Sequence, residues 1–546
     1  MTTVRRAVLT LPAAPLGPDD PLPVLRAPGP LPAPVREGDG RDRAERTLDA
    51  LVLENDRLRV TVLPGLGGRV HSLHHKPTRR ELLHRDPEFP PVASALDGIW
   101  FAGGIAWPAG AAGHGALSGA PVHVATVPAP DGTPMIRLWE WERLHGLPVQ
   151  VDLWLPEGSD FLYAGVRVRN PHERPAPVSW WPHAAVPERC RIGRRWIAAL
   201  DEDGTGLART STDAPPVRAG LAGTPLELRA LAPESELSRL EAYGPLAADP
   251  GIAPGAGRAA ARAAAERALD LALPRTAVDA AHTAWRERAA DTDPAPDAVL
   301  AAGSGWGALD VLRGGHVLPG TPFPASTLGA DQEPWRALLR TGVLPPPAKG
   351  AVPHPPQVGP AWRDMLETAP ADPSTEYHLG IAQWHAGDRA QAVRSWERGL
   401  ARAEVRWPLL YCLAVADREE GHRERAAHRF AEACGELDGT VDGPAAGTVA
   451  AALTREAVDA QLAADRPERA RALWRALPEE VRARGAFRLL EVRVLLAEGR
   501  PAEARAVFDA AFEVPGPREG AEPPGGLWSR ITGERRPDAY EFRTRS

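Results

Sequence analysis

Gly387-Asp388-Arg389-Ala390-Gln391-Ala392, Gly421-His422-Arg423-Glu424-Arg425-Ala426, Asp465-Arg466-Pro467-Glu468-Arg469-Ala470 and Gly499-Arg500-Pro501-Ala502-Glu503-Ala504 are four versions of one phrase. Each is followed four residues on by an aromatic residue: Trp396, Phe430, Trp474 or Phe508. Ala392 and Ala426 lie 34 residues apart, as do Ala470 and Ala504. A small residue lets two helices approach, and an aromatic one turn later fills the groove between them. Leu379-Gly380 and Leu413-Ala414 precede the first two alanines by twelve to thirteen residues, so each unit reads as helix, Gly-containing turn, helix. One such hairpin leaves an apolar face exposed, whereas a stack buries it.

This period resembles the tetratricopeptide repeat. The resemblance covers about Ser374 to Ala511, and the spacer Gly435 to Thr448 breaks the register between the second and third units. It implies an α-helical solenoid over residues 371–512 whose groove takes a protein or peptide partner. Arg389, Arg394, Arg398, Arg423 and Arg425 would favour an acidic segment, although most are expected to be solvated helix-face charges.

The rest of the chain reads differently. With 546 residues there is room for two or three domains with their own cores. The 59 prolines and 52 glycines point to many turns and linkers, while 43% hydrophobic residues keep the chain in the globular class. A net charge of −7, with both signs interspersed, argues against nucleic acid as a partner. Lysine occurs only at positions 76 and 349, so the abundance of Arg follows coding bias more simply than function. Cys190, Cys412 and Cys434 are too few and too scattered for a disulfide framework or a zinc site, and no metal or cofactor is expected. Pro12 and Pro15 interrupt the apolar stretch at the start before it reaches signal-peptide length, and no apolar run approaches a membrane span. The expectation is a soluble cytoplasmic protein with no membrane partner.

Residues 1–48 read as a Pro-rich leader laid on the first domain. From Leu51 the pattern alternates with period two, through Leu51–Asp56 and Leu58–Leu63, and Pro64-Gly65-Leu66-Gly67-Gly68 punctuates it before Arg69–Leu73. Further strands are expected at Val122–Val127, Met135–Glu142, Pro148–Leu155, Phe161–Arg169 and Val178–Trp181, separated by Asp-Gly, His-Gly, Glu-Gly and Asn-Pro turns. The repeated strands indicate an antiparallel sandwich over 49–245. Residues 246–370 read as a helical and Pro/Gly-rich connector, with helices at Ala259–Leu273 and Ala277–Ala290, and 513–546 as a flexible tail.

Several motifs in the first domain are similar to those of the bacterial DUF5107 family. They are Leu53-Glu54-Asn55-Asp56 with Val62–Val70, Trp100–Trp107, Gly113-His114, Leu138–Glu142, Trp180–Pro187, Trp196–Asp201, Glu241–Leu246 and Gly303–Leu309. The resemblance implies a β-supersandwich like that of galactose mutarotase, followed by tetratricopeptide repeats. It also marks departures. The family pattern Gly-Gly-Ile/Val-Glu-Trp-Asn is here Gly103-Gly104-Ile105-Ala106-Trp107-Pro108, Trp-Trp-Xaa-Asn is Trp180-Trp181-Pro182-His183, and Pro216–Gly220 replaces the strand that supplies the acidic base. Two apparent shortenings, near Cys190–Ile192 and Asp213–Pro216, leave the sandwich truncated.

Mutarotation needs one group to take the anomeric proton and another to protonate the ring oxygen. His71, His114 and His183 remain as possible acids, but the matching Glu is missing. Binding a sugar asks for less: aromatic faces for its C–H surface and polar groups for its hydroxyls. Arg69, Trp100, Trp107, His114, Glu140, Trp181 and His183 are the candidate substrate-binding residues, although at least half of the Trp rings are expected to fill the core. His74-His75 is no zinc pair, because adjacent strand residues face opposite ways. Gly303–Gly307 lacks the Lys-Ser/Thr end of a phosphate loop.

The expectation is a carbohydrate-recognition protein with a degenerate mutarotase-like domain on a repeat scaffold. The alternatives are an aldose 1-epimerase or related carbohydrate-processing enzyme, and a protein-interaction scaffold with a vestigial β domain.

Overall fold

Alternation in Leu58-Arg59-Val60-Thr61-Val62 places Leu58, Val60 and Val62 in the interior, with Arg59 exposed, as a strand with one buried face requires. The computed structural model describes residues 1–13, 22, 23, 25, 44–85, 91–94, 98–101, 103–109, 119–186, 190–192, 195–201, 203–212, 228–248, 258–437, 439–510 and 524–532. They form two compact units, one of Met1–Ala13, Ala44–Pro90 and Trp100–Gln332, the other of Ala14–Arg43, Pro91–Ile99 and Glu333–Ser546.

The first unit is a sandwich of two antiparallel sheets. One runs, in spatial order, Thr3–Ala13, Ala44–Glu54, Leu58–Leu63, Arg69–His75, Ile105–Ala106, His183–Ala184, with Arg80–Glu81 beside Arg69–His75. The other has nine strands in the order Cys190–Ile192, Trp196–Leu200, Thr205–Ser211, Ser235–Ala247, Leu162–Asn170, Leu147–Trp154, Pro134–Glu142, His123–Pro128, Val299–Ala301. Val60, Val62 and Val70 of the first sheet pack with Leu138, Val149, Val151 and Val166 of the second in one apolar core.

Two strands come from outside residues 49–245. Thr3–Ala13 pairs along its whole length with Ala44–Glu54, from Thr3 opposite Glu54 to Ala13 opposite Ala44. Val299–Ala301 extends the far edge of the larger sheet beside His123–Pro128. The two sheets thus draw strands from beyond residues 49–245. Part of the expected leader is a strand, and Leu22, Pro23 and Leu25 belong to the second unit.

Helices Arg258–Ala272 and Arg275–Arg288 stand where the Ala-rich periodicity placed them. They cover the outer face of the larger sheet, with Leu269, Val278 and Trp285 against Leu240 and Ala242. Beneath them lies a dry ion pair. Arg137 Nη2 and Nε each donate to Asp152 at 2.7 Å, and Trp285 Nε1 donates to the same carboxylate at 2.8 Å. Arg137 also reaches the carbonyls of Ala289 and Gly320, tying the downstream segment to the sheet. Gly165 makes this packing possible, since a Cβ there would lie 2.4 Å from the Trp285 ring.

The second unit contains the repeats as four helical hairpins: Pro373–His385 with Arg389–Leu400, Trp407–Glu419 with Arg423–Gly435, Pro444–Ala463 with Pro467–Ala476, and Gly485–Ala497 with Pro501–Asp509. Ala392, Ala426, Ala470 and Ala504 are all buried, as are Trp396, Phe430, Trp474 and Phe508. Gly380 gives Trp396 its place: a Cβ would sit 2.1 Å from the indole nitrogen, which donates to Tyr377 O at 3.2 Å. In the spacer, Asp442 N donates to Gly350 O at 2.8 Å, so the register break is pinned by the segment before the repeats. The flexible tail is partly ordered. Helix Pro524–Thr532 packs Trp528 edge-on to Phe508 at 5.9 Å and buries Leu527, because one more apolar pair covers the open end of the stack. Cys412 is buried and Cys434 half-buried. Among the described residues no helix is long and apolar enough to cross a membrane.

Candidate functional site

Strand Ser235–Ala247 carries Arg239, Glu241 and Tyr243 on one face and Leu240 and Ala242 on the other. The second set meets the covering helices, so the first turns into the sandwich, where all three are buried. A carboxylate cannot stay ionised there without partners. Glu241 has four. Arg209, from the neighbouring Thr205–Ser211 strand, approaches at 2.9 Å and Arg239 at 3.2 Å. Trp180 Nε1 donates at 3.2 Å and the Tyr243 hydroxyl at 2.5 Å. Burial alone would raise the carboxyl, but Arg209 and Arg239, with the two hydrogen bonds, hold it below its ordinary value. Burial pushes the Tyr243 phenol well up.

Trp180 stacks on Trp107 with ring centres 6.3 Å apart and planes 16° off parallel, and Tyr243 meets Trp107 edge-on at 6.3 Å. Trp107 Nε1 donates to Gly68 O at 3.0 Å. That contact leads to the turn at Gly67 and Gly68, both with positive φ, which directs the next residue, Arg69, inward. Arg69 Nη1 donates to Gly103 O at 2.6 Å, and burial lowers its guanidinium to about 9.

His71 follows on the same strand. Burial, then the charges of Arg85 and Arg69, bring it down to about 4. His183 pairs with Ala106, whose neighbour Ile105 pairs with Val70, and burial with the charges of Arg209 and Arg69 lowers its imidazole too. Arg69, His71, Trp107, Trp180, His183, Arg209, Arg239, Glu241 and Tyr243 therefore form one polar and aromatic cluster. His183 is its half-exposed member; the others are buried.

Of the candidate residues, Arg69, Trp107 and His183 come together here. Trp181 is buried beside the cluster in sequence, with its backbone N–H on Pro108 O at 3.1 Å. Glu140 has a different environment: its carboxylate accepts from Ser304 N at 2.8 Å, Ser304 Oγ at 2.9 Å and Trp141 N at 2.8 Å. Burial raises it to about 7 against those hydrogen bonds. A Cβ on Gly303 would sit 2.2 Å from its Oε2, so the Gly303-Ser304 loop is fitted over this carboxyl. Trp100 lies in strand Gly98–Phe101, with its side chain outside the described residues, as are His114 and Pro216–Gly220. Arg209 and Arg239 stand in no motif, and Glu241 and Tyr243, which stand in the Glu241–Leu246 motif, were not among the candidate site residues. The signal was the alternation Arg-x-Glu-x-Tyr, with Leu240 and Ala242 between the polar residues. Among the described residues the one group with metal-ligand spacing is Asp417, Glu420 and His422, and Asp417 is already paired with Arg425 and Arg429.

Residues 32–191 match the family described as domain of unknown function DUF5107. The whole fold is similar to that of a TPR-domain containing protein from Parabacteroides distasonis ATCC 8503, at 14% identity and a TM-score of 0.60 over 98% of this chain and 97% of that one. Sheets followed by repeats are thus a shared architecture. A candidate aldose 1-epimerase from Escherichia coli K12 aligns at 12% identity over 36% of this chain and 97% of its own, with a TM-score of 0.24. That value bears on neither fold nor function.

Proposed function

We propose that this protein recognises a carbohydrate through the cluster between its sheets and has lost the acid–base pair that sugar epimerisation requires. The observation that carries the reading is the state of Glu241. A general base must offer a lone pair to the substrate at a pKa near the working pH. Glu241 is held low, is shielded from solvent, accepts hydrogen bonds from Trp180 and Tyr243 and is ion-paired with Arg209 and Arg239. Its charge fixes Arg209 and Trp180 in place. His71 and His183, lowered by burial, are neutral near pH 7, which suits hydrogen bonding to hydroxyls better than donating a proton. Arg69 and His183 supply polar contacts, and the Trp107–Trp180 stack supplies an apolar wall.

Polarimetry tests the catalytic half of this reading. With fresh α-glucose or α-galactose, the rate with protein should equal that of buffer; a protein-dependent acceleration would return the site to the epimerases. The repeats support a second, compatible role as a scaffold for a protein partner, because stacked hairpins present a continuous groove.

A further inference from the structure

Leu22, Pro23 and Leu25, which lie in sequence between Thr3–Ala13 and Ala44–Glu54, rest on the repeats. Trp384 Nε1 donates to Leu25 O at 2.9 Å and the Tyr411 hydroxyl donates to Pro23 O at 3.0 Å, both hydrogen bonds being buried. Trp384 belongs to the first helix of the first hairpin and Tyr411 to the first helix of the second, so the segment bridges two repeats. Leu22 and Leu25 are 5% and 1% exposed.

The chemistry of this seat is that of peptide recognition. Both donors take main-chain carbonyls, which any sequence provides, while selection falls on two leucines three residues apart. The Trp384 ring is also held by Arg389, 4.5 Å over it, and by Trp396 at 5.6 Å.

We propose that the first helices of hairpins one and two form a binding site for a Leu-Pro-x-Leu segment, and that Leu22, Pro23 and Leu25 occupy it in cis. A protein partner carrying such a segment binds by displacing the leader. A tethered occupant competes at an effective concentration on the order of millimolar, so the free site is masked in the resting chain.

The test is fluorescence anisotropy with a labelled peptide of residues 19–28 against the full chain. The double variant Leu22→Asp/Leu25→Asp, which loses the occupant's apolar anchors, should bind at least about tenfold more tightly than the parent chain. Adding Tyr411→Phe should then weaken binding about fivefold, the worth of one hydrogen bond. Equal affinity of parent and double variant, or no binding by a double variant that still melts cooperatively, would overturn the proposal. If the double variant does not fold, hydrogen exchange decides. Tyr411→Phe in the parent chain should speed exchange in the fragment containing residues 22–25, and an unchanged rate would contradict the seat.

Discussion

Arg209 Nη2 lies 2.9 Å from a Glu241 carboxylate oxygen in the interior of the sandwich, and the Arg239 guanidinium is 3.2 Å from the same oxygen. Two cations sharing one anion in a dry site make the anion the keystone. Glu241→Gln should therefore destabilise the β unit by about 3–5 kcal/mol, the usual cost of breaking a buried ion pair from one side. Urea denaturation followed by Trp fluorescence checks this; a loss under about 1 kcal/mol would mean that the arginines are neutralised elsewhere.

The same pair sets part of the acid limit. Glu241 has a folded pKa below its unfolded value, so its contribution is present above the ordinary carboxylate range and lost as pH falls through the folded value. The stability difference between parent and Glu241→Gln should be largest at neutral pH and shrink below about pH 4.5. Denaturant midpoints of both proteins at a series of pH values would show it.

Glu140 has the opposite sign. Its folded pKa, about 7, lies above the unfolded value of 4.5, so the folded state holds the extra proton and stability falls as pH rises between those values. Glu140→Gln should remove that slope and be worth up to about 3 kcal/mol above pH 7, less whatever is lost at Ser304. His71 and His123, both lowered to about 4, oppose this trend by losing stability as pH falls from 6.5. The comparison must therefore be parent against variant at each pH, and parallel curves would contradict the assignment.

Asp152 ties Arg137 to Trp285 beneath the covering helices. Asp152→Asn should cost about 3–5 kcal/mol and free helix Arg275–Arg288 from the sheet. Hydrogen exchange over residues 275–288 is the direct readout, and unchanged protection there would argue that apolar packing alone seats the helix.

In the repeats, Gly380→Ala would drive a methyl into the Trp396 indole. Overpacking of this kind costs about 1–3 kcal/mol. The loss should appear in the melt of the helical signal and be relieved by a second substitution, Trp396→Leu.

The repeats were legible because their signal is local. Ala392, Ala426, Ala470 and Ala504, each with an aromatic one turn on, report a packing that recurs along the chain. The strands at Leu58–Leu63 and Arg69–His75 were equally plain from period two and a Gly-Gly turn. What could not be read was pairing between distant segments. Nothing in Thr3–Ala13 announces that it pairs with Ala44–Glu54, since residues 1–48 read as a Pro-rich leader. The site divided in the same way. Arg69, Trp107, His183 and Glu241 all stand in motifs, but the role of Glu241 emerges only when Arg209, Trp180 and Tyr243 converge on it. A Pro-rich segment likewise gives no sign of its seat until Tyr411 and Trp384 are seen to hold its carbonyls.

The most direct test of the central claim is the melting temperature of the intact protein with a panel of mono- and oligosaccharides, because a ligand bound only by the folded state raises apparent stability with its concentration. The account predicts a concentration-dependent rise for one saccharide class and a smaller rise for His183→Ala, the variant at the half-exposed member of the cluster. A cooperative melt that no saccharide shifts would contradict it.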